Sequence, residues 1–176
     1  YEDLDLAYMK THYYGGIKKY QWASLPLALH GVVVLASGEK VEITIGEKDE
    51  DPVFTIPDIL PHLSAKIQGD RKTGEVIKGE ELQIIVGSIP SSIEDKDVKE
   101  KIKYTVLEIL NRDYGMIEED FISAELELVP AGRCRDLGFD RSMIGGYGQD
   151  DRICGYTSMM AIIDLKEIPE RTAVCF

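Results

Sequence analysis

Two adjacent carboxylates, Asp150 and Asp151, stand where a glycine-rich run, Gly145-Gly146-Tyr147-Gly148, gives way to a helical pattern. A carboxylate at such a junction is held by ordered backbone yet projects into a cleft, which is the placement a metal ligand needs. Neighbouring side chains point in different directions, so the pair can divide the work: Asp150 faces a metal while Asp151 caps the helix or orients a ligand. The plainer reading makes one of them only the helix N-cap, accepting hydrogen bonds from free first-turn amides. Zinc takes about four ligands, so one carboxylate cannot hold it. The glycine run lacks both the lysine of a phosphate loop and the strand that precedes a dinucleotide fingerprint, so phosphate cradling is not expected of it.

The three histidines, His12, His30 and His62, are at least 18 residues apart and form no His-Glu-x-x-His helix. Each must be judged alone, as a ligand or catalytic group against a satisfied or solvated side chain. His62 stands out because it directly follows Pro61, inside a helix expected to open at Ile56-Pro57 and close at Gly69. A second proline there should distort the helix and free a carbonyl, a distortion tolerated where a side chain must be aimed. The cluster Tyr13, Tyr14, Tyr20 and Trp22 could stack on bases or sugars, but packing or subunit contact suits it better in an acidic chain.

The elements that must position these residues follow from periodicity. Val32, Val34, Val41, Ile43 and Ile45 alternate on either side of Ser37-Gly38, which predicts a hairpin over His30 to Gly46. Leu82 to Gly87 reads as a buried strand. The clearest helix is expected from about Asp95 to Asp113, where Val98, Ile102, Val106, Ile109 and Leu110 share one face and Gly115 stops it. Ala124, Leu126 and Leu128 alternate with glutamates as a half-buried strand ending at Pro130. From Asp151 a last helix carries Ile153, Thr157, Met160 and Ile163, and an apolar strand over 172–176 is expected to be buried beyond Pro169. The fold class is therefore α+β, an antiparallel β-sheet packed by the two longer helices, with the C-terminal helix and strand starting a second, α/β part.

Composition narrows the function classes. Apolar residues make up 44% of 176, a globular balance, and no apolar stretch approaches the roughly 18 residues that cross a bilayer, so no membrane partner is expected. Twenty basic residues against 32 acidic give a net charge of −12, which repels phosphate backbones and excludes nucleic acid as a partner. Cys134, Cys154 and Cys175 are odd in number and widely spaced, reading as reduced core thiols in a reducing compartment. With no signal segment before the first structured residues, a cytoplasmic location is expected. The opening at Tyr1 without methionine and the apolar close suggest part of a longer polypeptide.

Three stretches together resemble the aminopeptidase I, or aspartyl aminopeptidase, family of zinc metallopeptidases. They are His12-Tyr13-Tyr14-Gly15-Gly16-Ile17 with Trp22, the run from Pro52 to Leu63 (PVFTIPDILPHL), and Tyr147-Gly148-Gln149-Asp150-Asp151-Arg152. Ser123-Ala124-Glu125-Leu126 and Val129-Pro130-Ala131-Gly132 add to the likeness, which spans essentially the whole chain.

The resemblance implies a catalytic domain with two zinc ions, bridged by an aspartate and by the attacking water, with a glutamate as general base. Two metals polarise the carbonyl and activate water at neutral pH, which is why a carboxylate is shared. Asp150 matches the bridging aspartate, and by likeness to related dinuclear peptidases the Asp150-Asp151 peptide is expected to be cis. The family also inserts a dimerisation domain whose histidine reaches the neighbouring subunit's active site, and His62 matches that histidine. An imidazole N–H aimed at an oxyanion in a dry site is worth several kcal/mol.

On this reading residues 1–146 are mostly inserted dimerisation domain, which could end as early as Arg133, and residues 147–176 begin the second part of the catalytic domain. The first histidine ligand is then expected before Tyr1, and the catalytic Glu pair with the remaining ligands beyond Phe176. The implied function is removal of N-terminal residues from peptides by a homo-oligomer of dimers, assembling into a dodecamer. The chain alone is expected to be inactive and metal-free. The alternative is a non-catalytic assembly or peptide-binding module, with Asp150 as a helix cap and His62 as a surface or core residue.

Overall fold

The computed structural model describes residues 1–95 and 97–175. It divides the chain into two compact units, Tyr1–Ala131 and a second that begins at Gly132. The fold is α+β with small antiparallel sheets.

In the first unit, β1 (Glu2–Asp3) and β2 (Leu6–Lys10) precede the long strand β3 (Leu27–Val34) and its hairpin partner β4 (Lys40–Ile45). Then come α1 (Pro61–Ile67), β5 (Gln83–Gly87), α2 (Lys101–Tyr114) and β6 (Glu125–Pro130). The strands form two antiparallel sheets, ordered β1-β2-β5 and β4-β3-β6, where a single sheet was expected. The extended segment 54–56 stitches them together: Phe54 and Leu27 exchange backbone hydrogen bonds of 2.8 and 2.9 Å, and Ile85 donates to the Thr55 carbonyl at 3.1 Å.

The predicted hairpin is present with the expected centre. Gly38 has φ +86°, and the turn closes through Leu35 N–H to Glu39 O at 2.8 Å. Alternation along β3 sends Leu27, Leu29 and Val33 inward. Leu27 joins Ile56, Ile77, Leu82 and Ile84 in one buried cluster; Leu29 and Val33 join Ile43 and Met116 in another.

Helix α2 packs on β2 and β5 so closely that a Cβ on Gly87 would lie 2.8 Å from Val106 Cγ2. It begins at Lys101 rather than Asp95, because the amides of Ile102 and Lys103 donate to the Glu2 carboxylate at 2.8 and 3.1 Å. A side chain from β1 therefore supplies the cap. Lys96, inside the expected helix, lies outside the described residues. Gly115, at φ +69°, ends the helix as anticipated.

Helix α1 corrects a second boundary. It starts at Pro61, with Leu60 extended as its N-cap, so Pro61 occupies the first helical position where its missing N–H costs nothing. The helix is not distorted. It is also short and buries no residue, so it is not the second helix packing a sheet that the sequence suggested.

The second unit has a small hairpin, β7 (Arg135–Leu137) and β8 (Met143–Gly145), followed by α3 (Gln149–Ile163). None of α3 is buried. Residues 172–175 are irregular and exposed, correcting the buried strand expected there; no strand partner exists for them among the described residues, and Phe176 lies outside those residues. Cys134, Cys154 and Cys175 are free and exposed rather than core thiols. So small a unit has too little interior to cover them.

Candidate functional site

The chain leaves β8 at Gly145 and reaches α3 through Gly146, Tyr147 and Gly148. Gly146 lies against Cys134, so close that a Cβ on it would clash with the Cys134 Sγ. Gly148 is left-handed, at φ +83° and ψ 18°, and serves as the helix N-cap without any side-chain cap bond. Asp150 (φ −87°, ψ 108°) and Asp151 (φ −119°, ψ 18°) are both non-helical, and the peptide joining them is cis, as the resemblance implied.

The two carboxylates have different surroundings. Asp151 accepts a hydrogen bond from the Cys154 thiol one turn on; that bond, then the Asp151 charge, then burial and the Asp150 charge hold the thiol above its usual pKa. The i, i+3 spacing that allows this contact was legible in the sequence, though it was not singled out. Asp150 is exposed and has no hydrogen-bond or ion-pair partner among the described residues. An unengaged carboxylate on ordered backbone is chemically apt as a zinc donor. The fit is partial, because no group of three His, Cys, Asp or Glu residues that could hold a metal exists among the described residues. Among the described residues Asp150 is a single candidate donor and not a site.

His62 is the second residue of α1 and is exposed. The apolar residues around it, Leu60, Leu63 and Ile67, are exposed by 67%, 53% and 57%, so its helix presents an uncovered apolar stripe beside the imidazole. The remaining histidines are engaged locally. His12 stacks on Tyr13, whose ring also carries the Lys19 ammonium at 5.2 Å, and His30 Nε2 lies 2.8 Å from Glu47 Oε1. No helix among the described residues is long and apolar enough to cross a membrane.

Residues 2–176 match the family described as aminopeptidase I zinc metalloprotease (M18). A probable M18 family aminopeptidase 1 of Borrelia garinii subsp. bavariensis is 57% identical over 175 residues, which cover 99% of this chain and 38% of that protein. A counterpart in Clostridium acetobutylicum is 57% identical over 166 residues, 94% of this chain and 35% of its own length. Among solved structures, the M18-family aminopeptidase from Thermotoga maritima superposes with a TM-score of 0.85 at 54% identity, over 97% of this chain and 36% of that one. The chain thus spans 38% or less of the length of these relatives.

Proposed function

The chain belongs to the aminopeptidase I zinc metalloprotease (M18) family, and from that membership we propose that it is an internal part of a metal-dependent aminopeptidase to which it contributes Asp150 as a bridging metal ligand. The observation that carries this reading is the state of Asp150: a carboxylate with no hydrogen-bond or ion-pair partner, on a turn whose neighbouring aspartate is occupied by Cys154. When bound, two zinc ions supply Lewis-acid polarisation of the peptide carbonyl and a nucleophilic water at neutral pH.

The chain's own residues have three tasks. Asp150 would supply a carboxylate to the metal pair. Asp151, tied to Cys154, fixes the orientation of the turn that bears Asp150. His62 is an N–H donor for the oxyanion in a neighbouring subunit's site; its exposure at the start of α1, beside uncovered Leu60 and Leu63, suits a residue that meets a partner. Residues up to about 146 are the dimerisation insert and residues 147–176 open the second part of the catalytic domain. The parent is a cytoplasmic homo-oligomer of dimers, a dodecamer, acting on peptides. This portion alone is inactive because it has too few donors.

Two substitutions in the complete protein separate these roles. Asp150→Asn should reduce bound zinc and abolish hydrolysis of aminoacyl substrates. His62→Phe should keep zinc content and assembly state while lowering kcat by about a hundredfold or more, the cost of losing one oxyanion donor. Full turnover in His62→Phe would sink the histidine assignment, and full zinc occupancy in Asp150→Asn would sink the ligand assignment.

A further inference from the structure

Resting on Asp150 as a zinc ligand, we infer that Gly148 is the positioning residue for that carboxylate, acting through its left-handed backbone and through the space that its absent side chain leaves for Arg152. A helix start built for stability carries Ser, Thr, Asp or Asn at the N-cap with extended backbone and a side-chain bond to a first-turn amide. Position 148 forgoes that bond and adopts φ +83°, ψ 18°. A glycine takes this conformation freely, whereas an L side chain with a Cβ resists it.

The turn it makes encloses the aspartates. The Gly148 carbonyl accepts the Arg152 N–H across Gln149, Asp150 and Asp151, in a long bond of 3.4 Å. Because both aspartates are non-helical, the direction of the Asp150 side chain is set by the turn's own dihedrals rather than by the helix repeat. Arg152 then lies over Gly148: a Cβ there would meet Nε at 3.3 Å and Cδ at 3.7 Å. Upstream, the approach of Gly146 to Cys134 pins the other end of the connection. The segment bearing Asp150 is held at Gly146 and turned at Gly148, so a side chain at 148 must rotate the peptide planes that aim the carboxylate, and it also displaces the Arg152 side chain slightly.

The test is made in the complete protein by measuring zinc affinity with a competing chelator, together with melting temperatures of the metal-free and zinc-loaded forms. Gly148→Ala should weaken the Asp150-dependent zinc by about tenfold or more, the usual effect of losing a residue that orients a ligand. Its metal-free melting temperature should fall by no more than ~3 °C, since a strained residue in a large protein moves the midpoint little. Gly148→Asn, whose side chain tolerates left-handed backbone, should bind zinc more tightly than Gly148→Ala. Gly148→Ala with Arg152→Ala should recover part of the loss by vacating the space.

Wild-type zinc affinity in Gly148→Ala overturns the inference. So does equal loss in Gly148→Asn and Gly148→Ala, or an equal fall in the metal-free and zinc-loaded melting temperatures, which marks a purely structural glycine. Asp150→Asn separates the two levels. If it retains zinc, the ligand assignment fails and this inference with it; if it loses zinc while Gly148→Ala does not, only the role of Gly148 falls.

Discussion

The carboxylate of Asp120 accepts the backbone N–H of Ala36 at 2.8 Å across 84 residues of chain, and with its other oxygen the N–H of Ile117 at 2.9 Å. Asp120 is only 4% exposed, the one buried charged side chain among the described residues. The bond ties the tip of the β3–β4 hairpin to the turn that leads into β6. Asp120→Ala should therefore lower the opening free energy of this region by ~1–3 kcal/mol, the worth of hydrogen bonds to a charged group. Hydrogen exchange of the Ala36 amide reads it directly, and unchanged protection there would refute the role.

Gly31 marks the tightest place in the central strand. Its φ is +149°, and a Cβ would clash with the Glu125 carbonyl oxygen and lie 2.9 Å from Leu126 Cα. The obstacle is backbone of the paired strand β6, which cannot swing aside as a side chain would. Gly31→Ala should open the β3–β6 ladder near Gly31↔Leu126 and destabilise the fold by ~1–3 kcal/mol. A Gly31→Ala protein that melts with the parent would show that β6 can slide away at little cost.

These two contacts explain why some of the fold was legible in sequence and some was not. The hairpin about Gly38 and the strand Gln83–Gly87 were readable because alternation and a turn glycine are local signals. The start of α2 was not, because its cap is Glu2, 100 residues upstream of Ile102. Pro61 was misplaced inside α1 because Ile56-Pro57 looked like an equally good helix start; the segment 54–56 is instead claimed by backbone pairing with Leu27 and Ile85. The cysteines looked like core residues by type, yet the unit that carries them builds no interior.

At the candidate site, Asp150 could be picked out only as one of an acidic pair until the family likeness distinguished it. Gly148 could be noticed as glycine, but its left-handed turn and the proximity of Arg152 are facts of three dimensions.

The contact between Asp151 and Cys154 yields a pH prediction for the isolated 176-residue chain. Alkylation proceeds through the thiolate, so its rate follows the fraction of ionised thiol. A hydrogen bond to Asp151 stabilises the protonated thiol, and the negative charge beside it opposes ionisation, so both causes raise the Cys154 pKa. The sign is therefore fixed: near neutral pH Cys154 reacts more slowly than an unperturbed thiol, and the midpoint of its rate against pH lies higher. Asp151→Asn removes the charge and should move that midpoint down, speeding alkylation throughout the rising limb. Asp150→Asn should move it in the same direction but less, because Asp150 is the smallest of the contributors. Iodoacetamide labelling of Cys154, followed by mass spectrometry from about pH 7 to about pH 10, brackets an ordinary thiol and resolves the order. A larger shift from Asp150→Asn than from Asp151→Asn would mean that Asp150 is the carboxylate engaged by Cys154, leaving Asp151 as the one available to a metal.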